Sequence, residues 1–378
     1  MRFEKNKPSH YLIITISFLS FILASILFLF SQTKKNLIVL SGHKLIGNLE
    51  EILKLQNYKN NKIFYITFSF IEYKKLKNEY ENIFITLNPY HIYLLLKSKI
   101  IISSHGLVLH KLLKEYFNIK TYFTGHAIKS NNNSKILKEQ YLFDEVWLYS
   151  EFEKDIYIEE CEYKVNNLVV TGYPRLDSLN KLLQDKEIIK KDLNISTKLV
   201  LYAPTDDRKN EKYINHELSP HNLDLYILFE NIAKKFDLRF LIKYHINTEV
   251  DKKTFDFIKN SKYLFSFESE KLLDITPLAI SDVLITDWSS VFVDYLITDN
   301  PILFLNTPMA YDISGVSKVF ENKYINRLLN FEEIQQSFQK LNENNYTSLN
   351  RLGEFKKEIF NDIYSDNNLD RCLERLDL

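Results

Sequence analysis

The chain has 378 residues, of which 45% are hydrophobic and 26% charged, and its 49 basic side chains balance its 49 acidic ones. This composition is typical of a globular protein, and the length suits two domains. Because the formal net charge is zero, we do not expect a nucleic-acid-binding surface that relies on broad positive charge. The two cysteines, Cys161 and Cys372, lie far apart and match no metal-binding spacing, so we predict neither a metal site nor a disulfide framework.

An uncharged apolar segment, Tyr11 to Phe30, lies near the N-terminus. As a helix rising 1.5 Å per residue, it would span about 30 Å, which is the thickness of a bilayer's hydrocarbon core. The segment is longer than the apolar part of a signal peptide, and no small-residue cleavage site follows it. We therefore predict an uncleaved single-pass membrane anchor within residues 1–35. Basic residues flank both ends of the segment, so they do not decide its orientation.

From Asn36 onward, short apolar strands alternate with helical stretches, a pattern that predicts an α/β fold with mostly parallel, doubly wound sheets. Strands are predicted at Leu37–Leu40, Ile63–Phe68, Ile83–Leu87, Ile100–Ser103, Thr121–Thr124, Val146–Tyr149, Leu168–Thr171, Leu199–Ala203, Phe240–Lys243, Tyr263–Phe267, Val283–Thr286 and Ile302–Leu305. The lysine-rich segment Lys181–Thr197 interrupts this alternation and is the predicted linker. We expect Rossmann-like domains at 36–190 and 191–330, followed by C-terminal helices at 331–378.

The stretch from Ala279 to Leu305 reads as a buried strand, a polar turn, a short helix and a second buried strand. Its turn contains Thr286, Asp287, Ser289 and Ser290. Hydroxyl groups and free backbone N–H groups at the start of a helix favour an anion such as phosphate. Serines at this position also commonly cap a helix, and the stretch alone does not separate these two interpretations.

Polar residues also follow four other predicted strands, at the edge of a doubly wound sheet where ligands bind. These residues are His126, Arg175, Asp177, Thr205, Arg208, Lys243 and His245. A histidine at a strand end, such as His126, suits a general base or a loop histidine bonded to the backbone. The alternation of side chains along a strand predicts that Lys243 and His245 point to the same side, where both would reach one anion.

Motifs of several competing enzyme classes are missing from the sequence. It has neither the G-x-G-x-x-G fingerprint of dinucleotide oxidoreductases nor the G-x-x-x-x-G-K-[ST] motif of P-loop enzymes. A D-x-D pair at a strand end is also missing, which disfavours a metal-dependent sugar transferase with a single Rossmann domain. No cofactor is predicted.

The segments GHAIK, TGYPRLD, LYAPTDDR, KYH and SDVLITDWSS follow one another in the order seen in a known family. Between about Tyr122 and Leu305 the chain resembles the CDP-glycerol glycerophosphotransferases, which include teichoic-acid primases and polymerases. The resemblance implies a GT-B fold with an acceptor domain at 36–190 and a nucleotide-donor domain at 191–330. It also implies transfer of a polyol phosphate from a CDP-polyol to a lipid-linked or polymeric glycan acceptor at the membrane, with release of CMP and no nucleic-acid partner.

By position, the resemblance makes His126 the general base and His245 a donor-phosphate contact with a catalytic role. It assigns donor binding to Lys243, Arg208, Thr286, Asp287, Ser289, Ser290 and Arg175, and supporting roles to Lys129, Asp177 and Thr205. If His126 is not the base, His105 is the next candidate. The family's activated donors are made in the cytosol, so the resemblance places the catalytic domains on the cytoplasmic side of the cell membrane.

Two alternatives stay open at this point. The first is a GT-B glycosyltransferase that uses a nucleotide sugar in capsule or lipopolysaccharide synthesis. The second is a membrane-anchored scaffold whose transferase domain is inactive. The second rests on departures from the family motifs, such as Gly125 in place of a tryptophan and Lys243 in place of an arginine.

Overall fold

The computed structural model describes residues 8–31, 33–128, 142–160, 165–206, 209–245, 248–267, 274–309, 319–320, 322–347, 352–360 and 367–376. Within these residues, an N-terminal helix precedes two β-sheets with helices packed against them. The helices are Pro8–Phe30, Asn48–Lys54, Phe70–Lys77, Pro89–Leu96, His110–Glu115, Glu151–Asp155, Arg175–Gln184, Lys186–Asp192, Glu211–Ile214, Leu223–Phe236, Lys252–Asn260, Thr276–Ile280, Val291–Tyr295, Phe331–Glu343, Leu352–Phe360 and Asn368–Glu374.

The first sheet belongs to the N-terminal half of the chain. Its strands are β1 (Leu37–Ser41), β2 (Asn57–Tyr58), β3 (Asn61–Thr67), β4 (Ile83–Ile85), β5 (Ile100–Ser103), β6 (Lys120–Phe123), β7 (Glu145–Leu148) and β8 (Leu168–Val170). They are ordered β2-β3-β1-β5-β6-β7-β8, with β4 beside β3, and only the β2–β3 pair is antiparallel among the described strands. Alternate residues of β1 enter different apolar clusters, which shows that both faces of the sheet are covered.

The second sheet is parallel in all of its described pairs. Its strands are β9 (Lys198–Tyr202), β10 (Leu238–Ile242), β11 (Leu264–Ser266), β12 (Val283–Thr286), β13 (Ile302–Leu305) and β14 (Arg327–Leu328), in the order β11-β10-β9-β12-β13-β14. Its strands read as short apolar runs because helices cover them on both sides, and this burial made them visible in the sequence.

The predicted strands are present with ends that differ by at most two residues, and the structure adds the short strands β2 and β14. The predicted linker Lys181–Thr197 lies largely in two helices, Arg175–Gln184 and Lys186–Asp192, between the last strand of the first sheet and the first strand of the second. Strand β10 ends at Ile242, one residue before the predicted end, so the common side expected for Lys243 and His245 stays a prediction. The domain boundaries stay a prediction.

The C-terminal helices connect the two halves of the molecule. Helix Phe331–Glu343 packs on the second sheet, whereas Asn368–Glu374 inserts Cys372 and Leu373 into the core of the first sheet. Between the sheets lies a shared apolar cluster to which both halves contribute, including Tyr149 and Tyr173 from one half and Phe292 from the other. The carboxyl ends of both sheets border this contact, and the candidate site lies there.

Candidate active site

A cleft of about 220 Å³ lies between the two halves of the chain. The first half contributes Ile46, Gly47, Asn48, Glu50, Glu51, His126, Ala127 and Arg175, and the second half contributes Lys243, Asp274, Ile275, Leu278, Ser289, Ser290, Val291 and Asp294. The cleft therefore brings together five of the residues singled out in the sequence, which come from four different strand ends. Its position matches the rule that ligands bind beyond the carboxyl ends of parallel strands.

His126 lies at the end of β6, where Gly125 adopts a positive φ of 63°. A side chain at position 125 would meet the Tyr173 hydroxyl at 2.7 Å, so glycine is required for this close approach. The Nδ1 atom of His126 lies 3.2 Å from the carbonyl oxygen of Ser104. A carbonyl only accepts a hydrogen bond, so Nδ1 carries the proton and Nε2 is left with a lone pair.

The His126 ring is the last of three imidazoles in a row. It stacks on His105 with 4.5 Å between ring centroids, and His105 in turn lies 4.0 Å from His43. Burial, reinforced by the neighbouring imidazoles, lowers the pKa of His105 to about 2. Burial also lowers the pKa of His126, and the charge of Arg175 acts in the same direction. Both rings are therefore neutral at physiological pH, which is the state that a general base requires.

Arg175 joins the two halves of the molecule through Asp294. Its Nε donates to Asp294 Oδ2 at 2.8 Å and its Nη2 donates to Oδ1 at 3.0 Å, so the pair is bidentate. The Tyr149 hydroxyl also donates to Asp294 Oδ1, at 3.0 Å. Burial would lower the pKa of Arg175, but the adjacent Asp294 carboxylate raises it above its ordinary value.

Arg175 also positions the histidine. Its Nη1 donates to the carbonyl oxygen of His126 at 2.9 Å, so the interdomain ion pair holds the backbone at the proposed base. The structure thus gives Arg175 a positioning role. Its predicted contact with a donor phosphate stays a prediction.

The turn after β12 is fixed by hydrogen bonds to other residues of the second half of the chain. Thr286 Oγ1 donates to the carbonyl oxygen of Ala203 at 2.7 Å. The buried Asp287 carboxylate accepts hydrogen bonds from the backbone N–H groups of Thr205 and Trp288 and from the hydroxyls of Tyr213 and Thr307. Burial raises the pKa of Asp287, and these four donors oppose the shift. The Thr286 and Asp287 side chains therefore fix the loops beside the cleft, and they are not part of its lining.

Ser289 and Ser290 follow this fixed turn and line the cleft. Ser290 is the N-cap residue of helix Val291–Tyr295, but its side chain makes no capping hydrogen bond. The Ser289 hydroxyl accepts a long hydrogen bond of 3.5 Å from the backbone N–H of Val291. Helix capping therefore does not explain why two serines stand at this position. This favours the interpretation that their hydroxyls bind an anion.

Lys243 and His245 follow β10, a strand of the same sheet as β12. Lys243 lines the cleft and its Nζ forms a 3.0 Å ion pair with Asp274. The Nδ1 atom of His245 lies 3.8 Å from Asp206. A positive charge on His245 would lower the pKa of His126, which means that the two imidazoles are within electrostatic reach of each other.

Asp177 is not part of the described lining of the cleft. It accepts hydrogen bonds from the backbone N–H groups of Asn368 and Leu369, so it holds the start of the C-terminal helix Asn368–Glu374. The supporting role predicted for it stays a prediction. Lys129 and Arg208 lie outside the described residues.

The sequence interpretation missed Asp294 and Asn48. Asp294 is a lone carboxylate in an otherwise apolar helix, and such a residue needs a buried cationic partner. Asn48 Nδ2 donates to the carbonyl oxygen of Thr124 at 3.1 Å, and its Oδ1 accepts from the Arg175 backbone N–H. Among the described residues, no group of three or more His, Cys, Asp or Glu side chains is arranged to hold a metal ion.

Two solved structures resemble this arrangement as a whole. The structure of the wall teichoic acid polymerase TagF has a TM-score of 0.66 at 16% sequence identity, covering 97% of this chain and 96% of the other. The UDP-GlcNAc 2-epimerase of Neisseria meningitidis has a TM-score of 0.59 at 15% identity, covering 89% and 98%. At such low identity the likeness concerns the fold, and it confirms the predicted GT-B-like pair of Rossmann-like halves.

Curated relatives share more sequence over shorter stretches. A teichoic acid poly(glycerol phosphate) polymerase of Bacillus spizizenii is 29% identical over 206 residues, which is 53% of this chain and 49% of the relative. A teichoic acid glycerol-phosphate transferase of Staphylococcus aureus is 28% identical over 218 residues, covering 55% and 51%. The chain thus spans about half the length of these relatives. The family model described as CDP-Glycerol:Poly(glycerophosphate) glycerophosphotransferase matches residues 23–376, so the chain belongs to this family.

Proposed function

We propose that the chain transfers a polyol phosphate, in the simplest case glycerol phosphate, from a CDP-activated donor to a hydroxyl group of a teichoic-acid-type acceptor. The observation that carries this proposal is the His126 imidazole. Its Nδ1 donates a hydrogen bond to the Ser104 carbonyl oxygen, so its Nε2 is left to accept a proton from an acceptor hydroxyl. The ring lines the same cleft as Ser289 and Ser290. Family membership and the names of the similar proteins support the same reaction. One TagF structure was soaked with CDPG, which supports a CDP-activated donor.

In the proposed reaction, His126 Nε2 removes the proton from an acceptor hydroxyl. The hydroxyl oxygen then attacks the β-phosphorus of the donor, the bond between this phosphorus and the bridging oxygen breaks, and CMP leaves with the electron pair. A new phosphodiester forms on the acceptor. Such transfers depend mainly on the in-line positioning of the reactants and on the neutralisation of charge on the phosphoryl oxygens.

The second half of the chain would supply this neutralisation. Ser289 and Ser290 present hydroxyls to the cleft, and Lys243 supplies a cation that is now paired with Asp274. A donor diphosphate would replace the Asp274 carboxylate as the partner of Lys243. His245 and Arg208 are the further proposed donor contacts. Asp287, Thr286 and Thr205 would act indirectly, because they fix the loops that carry these groups.

We also propose that the enzyme works at the cytoplasmic face of the cell membrane on a lipid-linked or polymeric glycan acceptor. Within the part of the chain that the structure describes, one helix, Pro8–Phe30, is long and apolar enough to cross a bilayer. CDP-activated donors are made in the cytosol, and the acceptors of teichoic-acid enzymes are surface polymers.

A donor panel tests the proposed reaction. The purified full chain is incubated with acceptor and with CDP-glycerol, CDP-ribitol or nucleotide sugars, and nucleotide release is measured for each. We expect CMP release from a CDP-polyol. Turnover of nucleotide sugars alone would contradict the proposal in favour of a glycosyltransferase, and binding of none of these donors by calorimetry would favour an inactive scaffold.

A further inference from the structure

We propose that Arg327 is a positioning residue for the diphosphate of the donor. Its guanidinium braces the turn that carries Ser289 and Ser290 and places a positive charge beside this turn. The proposal rests on the proposed function, because it takes the turn to be the donor-phosphate site. Arg327 itself is not part of the described lining of the cleft, and it lies in none of the motifs that the sequence offered.

The sheet brings Arg327 to the level of the turn. In the register of the second sheet, Thr286 of β12 pairs with Phe304 of β13, and Phe304 pairs with Arg327 at the start of β14. These strands are parallel, so their carboxyl ends meet at one edge of the sheet. Arg327 therefore lies two strands away from Thr286, at the edge where the turn begins.

The guanidinium of Arg327 stacks on Trp288, the residue directly before Ser289. Its central carbon lies 3.6 Å from the centroid of the Trp288 ring, which is a close cation–π contact. The indole is also held at its edge, because Trp288 Nε1 donates to the carbonyl oxygen of Thr307 at 2.7 Å. Arg327 on the face and Thr307 at the edge thus fix the orientation of the indole.

Hydrogen bonds tie the backbone of the turn to the same guanidinium. Arg327 Nη1 donates to the carbonyl oxygen of Asp287 at 3.2 Å and to the carbonyl oxygen of Leu305 at 3.3 Å. The first acceptor belongs to the turn, and the second ends β13. Arg327 therefore restrains both residues that precede Ser289, one through its backbone and the other through its ring.

The charge of this guanidinium is poorly compensated within the protein. Among the residues that the structure describes, Nη2 of Arg327 has no hydrogen-bond partner although the atom is buried. The Asp287 carboxylate, the nearest acidic influence on Arg327, bonds Thr205, Trp288, Tyr213 and Thr307. Burial lowers the pKa of Arg327 to about 10, so the group is still charged at physiological pH. Buried donors without a partner are rare and costly, so this one needs an explanation.

A bound diphosphate provides this explanation. The chain from Asp287 to Ser289 spans at most about 7 Å, so the Arg327 charge lies close to the two serines. Charges that are partly buried are screened less than charges in water. A positive charge that is already fixed in place favours an anion in the cleft without reorganisation of the protein. The charge that is costly in the empty protein is thus compensated when a diphosphate binds, without direct contact.

Arg239 offers a matched control in the same sheet. Its guanidinium lies 4.4 Å from the Phe265 ring centroid, and its buried Nε has no hydrogen-bond partner in the described part of the chain. Burial lowers the pKa of Arg239 as well. Arg239 is the second residue of β10, so it lies toward the amino-terminal edge of the sheet, away from the turn. It shares the local features of Arg327 but not its location.

Calorimetric titration of the full chain with CDP and with inorganic pyrophosphate tests the proposal. We expect Arg327→Gln, which removes the charge, to weaken the binding of both ligands about tenfold. Arg327→Lys keeps a cation but loses the planar stack, and it should weaken binding about threefold. Arg239→Gln should leave both affinities unchanged. Parent-like binding by Arg327→Gln, equal losses for the lysine and glutamine variants, or an equal loss in Arg239→Gln would overturn the proposal.

Kinetics and folding provide readouts that separate positioning of the donor from a general loss of structure. Arg327→Gln should raise the KM for the donor about tenfold and leave kcat at saturating donor nearly unchanged. A lower kcat with an unchanged KM would overturn the proposal. Urea unfolding checks that Arg327→Gln and Arg239→Gln are folded. Should Arg327→Gln not fold, Arg327→Lys and Arg239→Lys are compared, and only the former should weaken pyrophosphate binding; equal binding by these two variants would overturn the proposal.

Pyrophosphate separates this test from a test of the proposed reaction, because it carries the diphosphate without cytidine or polyol. If the chain turns over nucleotide sugars alone, the proposed reaction fails, but the comparison of Arg327 with Arg239 still measures the role of the charge. If the parent chain binds neither CDP nor pyrophosphate, the proposal for Arg327 is overturned.

Discussion

On one side of the cleft, the turn from Thr286 to Ser290 is fixed by hydrogen bonds that stay within the second half of the chain. On the other side, His126 depends on Arg175, whose own anchor is Asp294 in the opposite half. The turn proposed to bind the donor is thus fixed within one half, whereas the proposed base also depends on an ion pair that forms only when the two halves are together. This difference predicts that donor binding and turnover respond to different substitutions.

The largest effect is expected for His126→Ala. Removal of a histidine base typically lowers turnover by about 10²–10⁴-fold. The donor's dissociation constant, measured by calorimetry, should change little, because the groups proposed to bind the donor belong to the other half.

His245→Ala is the matched control and should mainly weaken donor binding. Near-normal turnover of His126→Ala would show that His126 is not the general base. His105, the ring stacked against it, would then be the next candidate.

The interdomain ion pair gives the next prediction. Asp294→Ala leaves the Arg175 charge buried without its carboxylate, which typically destabilises a protein by about 3–5 kcal/mol. Asp299→Ala removes an ion pair with Lys356 in which the aspartate is mostly exposed, and it should cost about 1 kcal/mol or less. Urea unfolding of both variants measures the difference. Equal losses would show that the two halves do not depend on this pair.

The imidazole stack predicts how stability depends on pH. In the native chain the pKa of His105 is about 2, whereas in the unfolded chain it returns to its ordinary value near 6.5. Below pH 6.5 the unfolded state therefore binds one more proton at this site, and the free energy of unfolding falls by about 1.4 kcal/mol per pH unit as the pH decreases.

His105→Phe keeps an aromatic ring in the stack but removes this titration. Its unfolding free energy, measured between pH 7 and pH 5, should fall less steeply than that of the unchanged chain. An identical slope in the two proteins would contradict the buried neutral imidazole.

The smallest effect is expected for Ser289→Ala combined with Ser290→Ala. Loss of two hydroxyls that face the proposed diphosphate should weaken donor binding about tenfold, with turnover at saturating donor nearly unchanged. Donor titration by calorimetry and initial rates at high donor concentration separate the two quantities. A fall in turnover without a change in donor affinity would contradict a role in donor binding. It would show that the two serines act in the chemical step instead.

Local sequence patterns predicted the parts of this molecule that local physics determines. The strand before Asp287 and the serine turn after it follow from an apolar run that ends in polar residues, and both are present. The Arg175–Asp294 pair could not be predicted in the same way, because its partners are 119 positions apart and meet only when the two halves pack.

The same limit applies to two other sets of residues. Asp177 shares a motif with Arg175, but its carboxylate accepts a hydrogen bond from the backbone of Leu369, 192 positions later. The strand pattern placed Lys243 and His245 on one side of β10, but the strand ends at Ile242, so its alternation does not decide where they point. Neighbouring motif residues can therefore take separate structural roles, and only the packed fold distinguishes them.

The central claim is that this cleft transfers a polyol phosphate, and analysis of the acceptor tests it most directly. The full chain is incubated with CDP-glycerol and a teichoic-acid-type acceptor, and the acceptor is then examined by mass spectrometry and phosphorus NMR. The account predicts an acceptor that has gained a glycerol phosphate unit through a new phosphodiester. An acceptor that stays unchanged while the donor binds, or that gains a sugar when nucleotide sugars are supplied, would contradict it.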